Sequence, residues 1–172
     1  MSSLNSDRTS NGTPGQDVGL LVLRLAVGLT LAAHGSQILG WISGSGLDAT
    51  GRFFTMSGYP SGRAMAVVAG LGELLGGLGL AAGLLTPLAA AAVVGTMVNA
   101  VAVKWNGGFF APQGIEYELL LTAGAAALAL TGPGRLAADR LLPGLRSHRT
   151  AYGVAALALA LASAAVILAL RR

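Results

Sequence analysis

The sequence predicts an all-α integral membrane protein, a bundle of membrane-spanning helices, and three observations lead to that prediction. Hydrophobic residues make up 53% of the 172-residue chain and charged residues only 10%, whereas about a quarter of the residues in a soluble domain are charged. Apolar runs of roughly 20 residues recur, each long enough to cross a hydrocarbon core of about 30 Å. No segment alternates at period two as barrel strands do, so the spans are helical.

Five spans are predicted, four in a core bundle and one appended. Residues 1–17 are polar and set two acids beside a single arginine, which predicts a disordered tail before a retained span, not a cleaved secretory signal. Residues 18–142 are expected to form the core bundle. Residues 143–172 are expected to hold a basic linker and the appended C-terminal transmembrane helix. The spans cover about 19–39, 64–85, 88–103, 115–131 and 151–170.

The segments between the spans suggest how the helices connect. Residues 40–63 are rich in glycine and serine and carry aromatic rings suited to the membrane interface, which predicts an interfacial loop. Proline ends a helix, so Thr86 and Pro87 predict a tight turn that brings the third span back beside the second.

Small residues recur at helical spacing on three spans, and this pattern is typical of helices whose backbones approach closely. In alanine-rich helices the same spacing also arises by chance. The second span has Gly72, Gly76, Gly79 and Gly83, the third has Ala91, Gly95 and Asn99, and the last has Ala151, Ala155, Ala158, Ala162, Ala165 and Ala169.

The charges and the missing cysteines exclude several kinds of site. The net charge of +4 is scattered between the spans, which indicates membrane anchors, and no nucleic-acid partner is expected. A chain without cysteine has no disulfide, no cysteine-ligated metal and no covalent haem. The two histidines, His34 and His148, fit no metal motif, so no metal site is predicted. The basic residues divide equally between the two sides, so they do not orient the chain.

Ionisable residues inside the spans are the main functional candidates, because charge is costly in a bilayer. Arg24 and His34 lie in the first span and Glu73 near the middle of the second. For antiparallel spans, His34, Glu73 and Arg24 lie about 8, 13 and 22 Å below one surface. A carboxyl group there must be paired, hydrated or protonated. We therefore expect Glu73 to face the groove between Arg24 and His34 and to reach both.

Three interpretations of these residues stay open: a buried Arg–Glu pair that only fixes helix register, a polar pocket for a head group, quinone or small solute, and a proton relay. Glu116 and Glu118 are two residues apart and point to opposite sides of a helix, so one is expected to face the bundle.

Several stretches, taken in order, resemble the DoxX family of small bacterial membrane proteins. They are LRLAVGLTLAAHGSQILGW, the FF of the first loop, GELLGGLGLAAGLLTPLAA, NGGFF, GIEYELLL and GPGRLAADRLL, over about residues 20–142. The chain lacks the lysine that commonly follows the histidine–glycine pair in this family. The resemblance implies a four-helix bundle and makes Glu116 with Tyr117 the inward pair. The family-type polar positions are Arg24, His34, Gly35, Glu73, Glu116 and Tyr117.

The resemblance also implies a function, since family members resemble a subunit of a thiosulfate:quinone oxidoreductase. It implies a multi-pass protein of the bacterial plasma (inner) membrane, a subunit of an oxidoreductase complex with a polar intramembrane pocket, and quinone as the candidate cofactor. Arg24 and Glu73 would form the buried pair, and His34 would lie near a mouth fringed by Trp41, Trp105 and Phe109. The lipid bilayer and soluble or membrane redox proteins are the expected partners, and homo-oligomers are not excluded.

Two other functions stay open: a non-catalytic membrane scaffold or assembly protein, and a small-solute or proton-coupled carrier. A carrier favours inverted repeats and broken helices, and the sequence has neither. Whether the protein is an enzyme is left open.

Overall fold

The computed structural model describes residues 13–142 and 149–172, and six α-helices form most of that part of the chain. Two short 3-10 helices cover Trp105–Gly107 and Ala138–Leu141. The described residues contain no strand, which confirms the all-α prediction. The α-helices are α1 Pro14–Leu39, α2 Gly46–Met56, α3 Gly62–Ala82, α4 Thr86–Lys104, α5 Glu116–Thr131 and α6 Thr150–Ala169.

Four helices of the described part are long and apolar enough to cross a membrane: α1, α3, α6, and α4 with its 3-10 extension to Gly107. The helix at the fourth predicted span, α5, has 16 residues. At 1.5 Å per residue it is about 24 Å long, shorter than a hydrocarbon core of about 30 Å.

The helices alternate in direction along the bundle. The end of α4 contacts the start of α5 through Lys104 and Glu118, and the end of α5 contacts the start of α6 at Ala129 and Gly153. We call the end that holds α2 the α2 end, and the end that holds the Thr86–Pro87 turn the turn end. The first residue of α1 lies at the turn end and the last residue of α6 at the α2 end, so these two residues lie at opposite ends of the bundle.

Glycines allow α1 and α3 to cross with their backbones in contact. A Cβ atom added at Gly35 would overlap the backbone of Gly70 and Leu74, and one added at Gly28 would lie 2.5 Å from the carbonyl oxygen of Gly77. Neither helix could yield without moving its backbone. The glycines therefore fix the distance between α1 and α3.

The opposite face of α3 packs on α4, which confirms the predicted small-residue contact. Added Cβ atoms at Gly72, Gly76 and Gly79 would lie within 3.1 Å of atoms of α4. Gly83 has a different role, because it ends α3 with a positive φ of 65°.

The small-residue contact predicted for the last helix was wrong in phase. The buried face of α6 is Gly153, Ala156, Ala160 and Ala164, and the six alanines of the predicted pattern are exposed. Gly153 sets the phase, because a Cβ atom added there would overlap the carbonyl group of Ala129. Helix α6 is also an integral part of the bundle, since it packs against both α4 and α5.

Two predicted boundaries change. The interfacial loop over 40–63 contains helix α2, which packs on α3 through Gly51 and Arg63 and has Asp48 in its first turn, where a carboxylate is favourable. The expected tail ends earlier, since α1 begins at Pro14 and Thr13 forms a capping box with Gln16. The predictions for residues 1–12 and 143–148, including His148, lie outside the described residues.

Candidate functional site

An apolar cavity of about 450 Å³ lies between α3, α4 and α6 and is bordered at the α2 end by α2 and the α2–α3 loop. Most of its wall is aliphatic or aromatic, including Ile38, Phe53 and Phe54. The polar side chains in the wall are few and lie on several elements: Thr50, Tyr59, Glu73, Thr96, Asn99, Lys104 and Ser163. Ligand sites commonly combine an apolar wall with a few polar groups in this way.

Glu73 is the most unusual group in this wall. Its side chain is buried, with the residue 8% exposed, and it makes no hydrogen bond or ion pair within residues 13–142 and 149–172. An unpaired carboxylate in an apolar site is strongly disfavoured. Glu73 must therefore be protonated, hydrated or engaged by a bound molecule.

A second carboxyl group lies near Glu73 and is paired. The Lys104 Nζ atom donates to Glu118 Oε1 at 2.6 Å, and the other oxygen of Glu118 is buried with no partner among the described residues. The carboxylates of Glu73 and Glu118 interact electrostatically. Lys104 therefore pairs with Glu118, and Glu73 is left without a cationic partner among the described residues.

Tyr59 and Asn99 form the polar part of the cavity wall at the α2 end. The Tyr59 hydroxyl donates to Asn99 Oδ1 at 3.1 Å, and Asn99 Nδ2 donates to the Gly95 carbonyl at 3.0 Å. Burial raises the pKa of the Tyr59 phenol, although the nearby Arg171 cation acts in the opposite direction. The phenol therefore stays protonated and can donate.

The predicted pair of Arg24 and Glu73 was wrong. Arg24 is 0% exposed and lies at the turn end, where its Nη2 atom donates to the Leu136 carbonyl and its guanidinium lies against Gly83. Gly83 is about 15 Å from Glu73 along α3, at 1.5 Å per residue. The carboxylate that interacts electrostatically with Arg24 is that of Asp139. Arg24 therefore contributes to the turn end and not to the cavity.

Asp139 organises the turn end. Its carboxylate accepts from the backbone N–H of Leu85 at 2.6 Å, the N–H of Thr86 at 3.1 Å and the Thr86 hydroxyl at 2.8 Å. These donors belong to the start of α4, so Asp139 acts as a distant N-cap. Asp17 accepts from Arg135 Nε at 2.5 Å and ties α1 to the same segment.

His34 and Tyr117 contact each other, and neither forms a hydrogen bond with Glu73. The Tyr117 hydroxyl lies 3.1 Å from His34 Nε2, on an exposed face formed by α1 and α5. The expectation that Glu73 reaches His34 was therefore wrong, because the partner of His34 is Tyr117. Gly35, the next residue, serves the close contact with α3.

The inward carboxylate of α5 is Glu118 and not Glu116. Glu118 is 6% exposed, whereas Glu116 accepts the backbone N–H of Ala111 at 2.9 Å and holds the preceding loop. Tyr117 is 36% exposed and interacts electrostatically with both Glu73 and Glu118. Only one of the two glutamates is buried, as their spacing predicted.

The aromatic rings expected at a pocket mouth lie elsewhere. Trp41, Trp105 and Phe109 are exposed and line no part of the cavity. The rings in the wall are Phe53, Phe54 and Tyr59, because α2 packs on α3 and places its two phenylalanines there, and the α2–α3 loop adds Tyr59.

Sequence reasoning assigned no site role to Lys104, Asn99, Tyr59 or Glu118. One signal was available for the first two, since polar groups near the end of an apolar span are costly unless they have partners. The partners themselves come from other elements, and only the fold shows them.

The sequence as a whole was compared with models of known protein families. The sequence model of the DoxX family matches residues 19–111, more than half of the chain. The chain belongs to the DoxX family. No curated protein and no solved structure matches it. With four helices suited to crossing a membrane, this DoxX protein is a multi-pass membrane protein in contact with the lipid bilayer.

The DoxX match ends before α5 and α6. It includes Glu73, Asn99 and Lys104 of the cavity wall, but not Glu118 or the three wall residues of α6, which are Ser163, Ala164 and Ile167. Part of the candidate site thus lies outside the matched DoxX region.

The pair of Lys104 and Glu118 should be coupled energetically. We expect Lys104→Gln to lower the free energy of unfolding by about 1–3 kcal/mol, because it leaves a buried carboxylate without its cation. The double variant with Glu118→Gln should recover part of that loss, with a coupling energy of about 1–2 kcal/mol in a double-mutant cycle. Unfolding in mixed micelles, followed by circular dichroism, measures the cycle.

Asp48 and Arg63 provide the matched control, since their ion pair is 2.7 Å long and their side chains are 70% and 73% exposed. The same cycle on this pair should give less than about 0.5 kcal/mol. Equal coupling energies for the two pairs would contradict the role of burial.

Proposed function

We propose that this protein is a membrane subunit of an oxidoreductase complex in the bacterial plasma membrane, and that it binds a quinone in the cavity beside Glu73. One observation carries the proposal: a buried carboxyl group without a protein partner faces an apolar cavity of about 450 Å³. A volume in this range is typical of small-molecule sites.

The chemistry of the wall fits a quinone. A ring with an isoprenoid tail matches the apolar wall, and its carbonyl oxygens require donors. Lys104, Asn99 and, when protonated, Glu73 are among the donors that line the cavity. The aromatic rings of Phe53 and Phe54 offer surfaces for stacking.

A bound quinone supplies redox chemistry in which two electrons and two protons are taken up together. The residues of this chain contribute to the proton side of that balance. Glu73 can hold a proton at a carboxyl oxygen inside the cavity. Lys104 holds a proton at Nζ, and the Glu118 carboxylate balances its positive charge. The electrons must come from a redox partner, soluble or membrane-bound, because no side chain of the sequence carries them alone.

The scaffold alternative is less well supported. It needs small-residue faces that are free for the helices of other proteins, but the glycines of α3 are used within the chain, against α1 and α4. A homo-oligomer remains compatible with the exposed apolar surface of α6.

Quinone content tests the proposal. The protein purified in a mild detergent should retain quinone that appears in an organic extract by its absorbance and its change on borohydride reduction. We expect Ala100→Phe to abolish retention, because Ala100 lines the cavity and a phenyl ring would fill part of it. Glu73→Leu should weaken binding about ten-fold, the effect of one lost hydrogen bond of about 1.4 kcal/mol.

Ala123→Phe is the matched control, since Ala123 is exposed on α5 outside the cavity. It should retain quinone like the unaltered protein. An extract that holds only lipid, or equal retention by Ala100→Phe and Ala123→Phe, would contradict quinone binding in this cavity.

A further inference from the structure

Arg171, just beyond the end of α6, ties together three elements at the α2 end of the cavity. Its Nε atom donates to the Ser57 carbonyl at 2.7 Å, and its Nη1 atom donates to the Ala102 carbonyl at 3.0 Å. Its guanidinium also lies 5.6 Å from the ring centroid of Tyr59. Ser57 follows α2, Ala102 belongs to α4, and Arg171 follows α6, so one side chain joins the elements that surround the cavity there.

The groups that Arg171 holds belong to the cavity wall or adjoin it. Tyr59 is 4% exposed, lines the cavity and donates to Asn99, another wall residue. The backbone N–H of Arg172 donates to the Gly58 carbonyl at 2.9 Å and fixes the same loop. At the α2 end of the cavity, a continuous set of contacts thus joins α6 to the α2–α3 loop and α4.

The side of the cavity between α3 and α6 has no such closure. Among the wall residues there, Val68 is exposed and Gly72 half-buried, and Ala92 and Ser163 are exposed. The first two belong to α3, Ala92 to α4 and Ser163 to α6, and all four lie within helices suited to crossing a membrane. This opening therefore faces the hydrocarbon of the bilayer.

We propose that the cavity takes its ligand sideways from the bilayer, between α3 and α6, and that Arg171 closes the α2 end against water. The ligand class is then an apolar compound dissolved in the membrane and not a water-soluble one. This inference specifies the access route to the site described under the proposed function, but its test needs no ligand, so the two can fail separately.

The absence of cysteine from the natural chain allows a direct test. A single Ala100→Cys substitution places a thiol in the cavity wall, in protein reconstituted in lipid nanodiscs where both faces are open to reagents. Its labelling rates with apolar N-phenylmaleimide and with an anionic sulfonate methanethiosulfonate are each divided by the rate at Phe110→Cys, an exposed site. The normalised anionic rate should be at least about ten-fold lower, because a permanent charge is disfavoured away from water.

Loss of the Arg171 contacts should open the α2 end. In the Ala100→Cys background, Arg171→Gln should raise the anionic rate about five- to ten-fold, since two hydrogen bonds and a cation–π contact are lost. Removing a positive charge would by itself slow an anion, so faster labelling reports opening and not attraction. The anionic rate in Arg171→Lys should lie between the rates with Arg171 and with Arg171→Gln, because a lysine cannot make both hydrogen bonds in the same geometry.

Two controls keep the result interpretable. Arg172→Gln removes the same charge but should not raise the anionic rate, since Arg172 contacts the Gly58 carbonyl through its backbone N–H. Ala90→Cys, at a position that is 0% exposed, should stay unlabelled in the Arg171→Gln protein and so exclude general unfolding. Equal normalised rates for the two reagents in the starting protein would overturn sideways access. An unchanged anionic rate in Arg171→Gln would overturn the role of Arg171.

Discussion

Gly35→Ala is expected to lower the free energy of unfolding by about 2–3 kcal/mol, a large effect for a single methyl group. The added Cβ would overlap the backbone of Gly70 and Leu74, which cannot turn aside as a flexible side chain could. The two helices would have to separate along their whole contact, and the packing around Leu31 and Leu74 would loosen. Unfolding in mixed micelles by a graded series of dodecyl sulfate concentrations measures the change.

Gly19→Ala is the matched control on the same helix, because a Cβ there meets nothing within 4 Å. An alanine inside a helix is favoured over glycine by roughly 0.5–1 kcal/mol, so this variant should be neutral or slightly more stable. If the two variants had the same stability, the close contact of α1 and α3 would not be what holds the bundle at this point.

Asp139→Ala is expected to cost about 3 kcal/mol of unfolding free energy, from loss of the helix cap and from donors left unsatisfied. The backbone N–H groups of Leu85 and Thr86 would lose their acceptor, and Thr86 is 0% exposed, so water does not readily replace it. Arg24 would lose the electrostatic interaction with Asp139 that offsets its buried charge. Hydrogen exchange at the first turn of α4 should accelerate most.

Asp48→Ala serves as the comparison, since its ion pair with Arg63 is exposed to water. Removing this ion pair should change the free energy of unfolding by less than about 0.5 kcal/mol. A loss from Asp139→Ala no larger than this would mean that the GPGRLAADRLL segment does not stabilise the turn end.

The sequence was sufficient for those parts of the fold that depend on local patterns. Spans follow from runs of apolar residues, and the contact of α3 with α4 follows from glycines three and four apart. Helix α2 was missed because residues 40–63 are rich in glycine and serine and resemble a loop. The helix is stabilised by packing on α3 through Gly51. The buried face of α6 was missed because every face of that helix is rich in alanine.

The candidate site was only partly accessible from the sequence. Glu73 stood out because a carboxyl group in the middle of a span always needs an explanation. Which residues lie next to Glu73 depends on how each helix is rotated about its axis, and the depth of a residue in the membrane does not determine that rotation. Arg24 and Glu73 were placed together by depth, yet Arg24 lies at the turn end, held by Leu136 and close to Asp139, far along the chain. The choice of Glu118 over Glu116 depended on a rotation of α5 that no local pattern encodes.

The location of a bound quinone tests the central claim most directly. A photoreactive quinone analogue, activated in native membranes and mapped by peptide mass spectrometry, should label α3, α4 and α6 at cavity residues near Glu73 and Ser163. Excess unmodified quinone should suppress that labelling, and so should Ala100→Phe. Labelling spread over the lipid-facing surface, or concentrated beside His34 and Tyr117 and unaffected by Ala100→Phe, would contradict the assignment of this cavity as the ligand site.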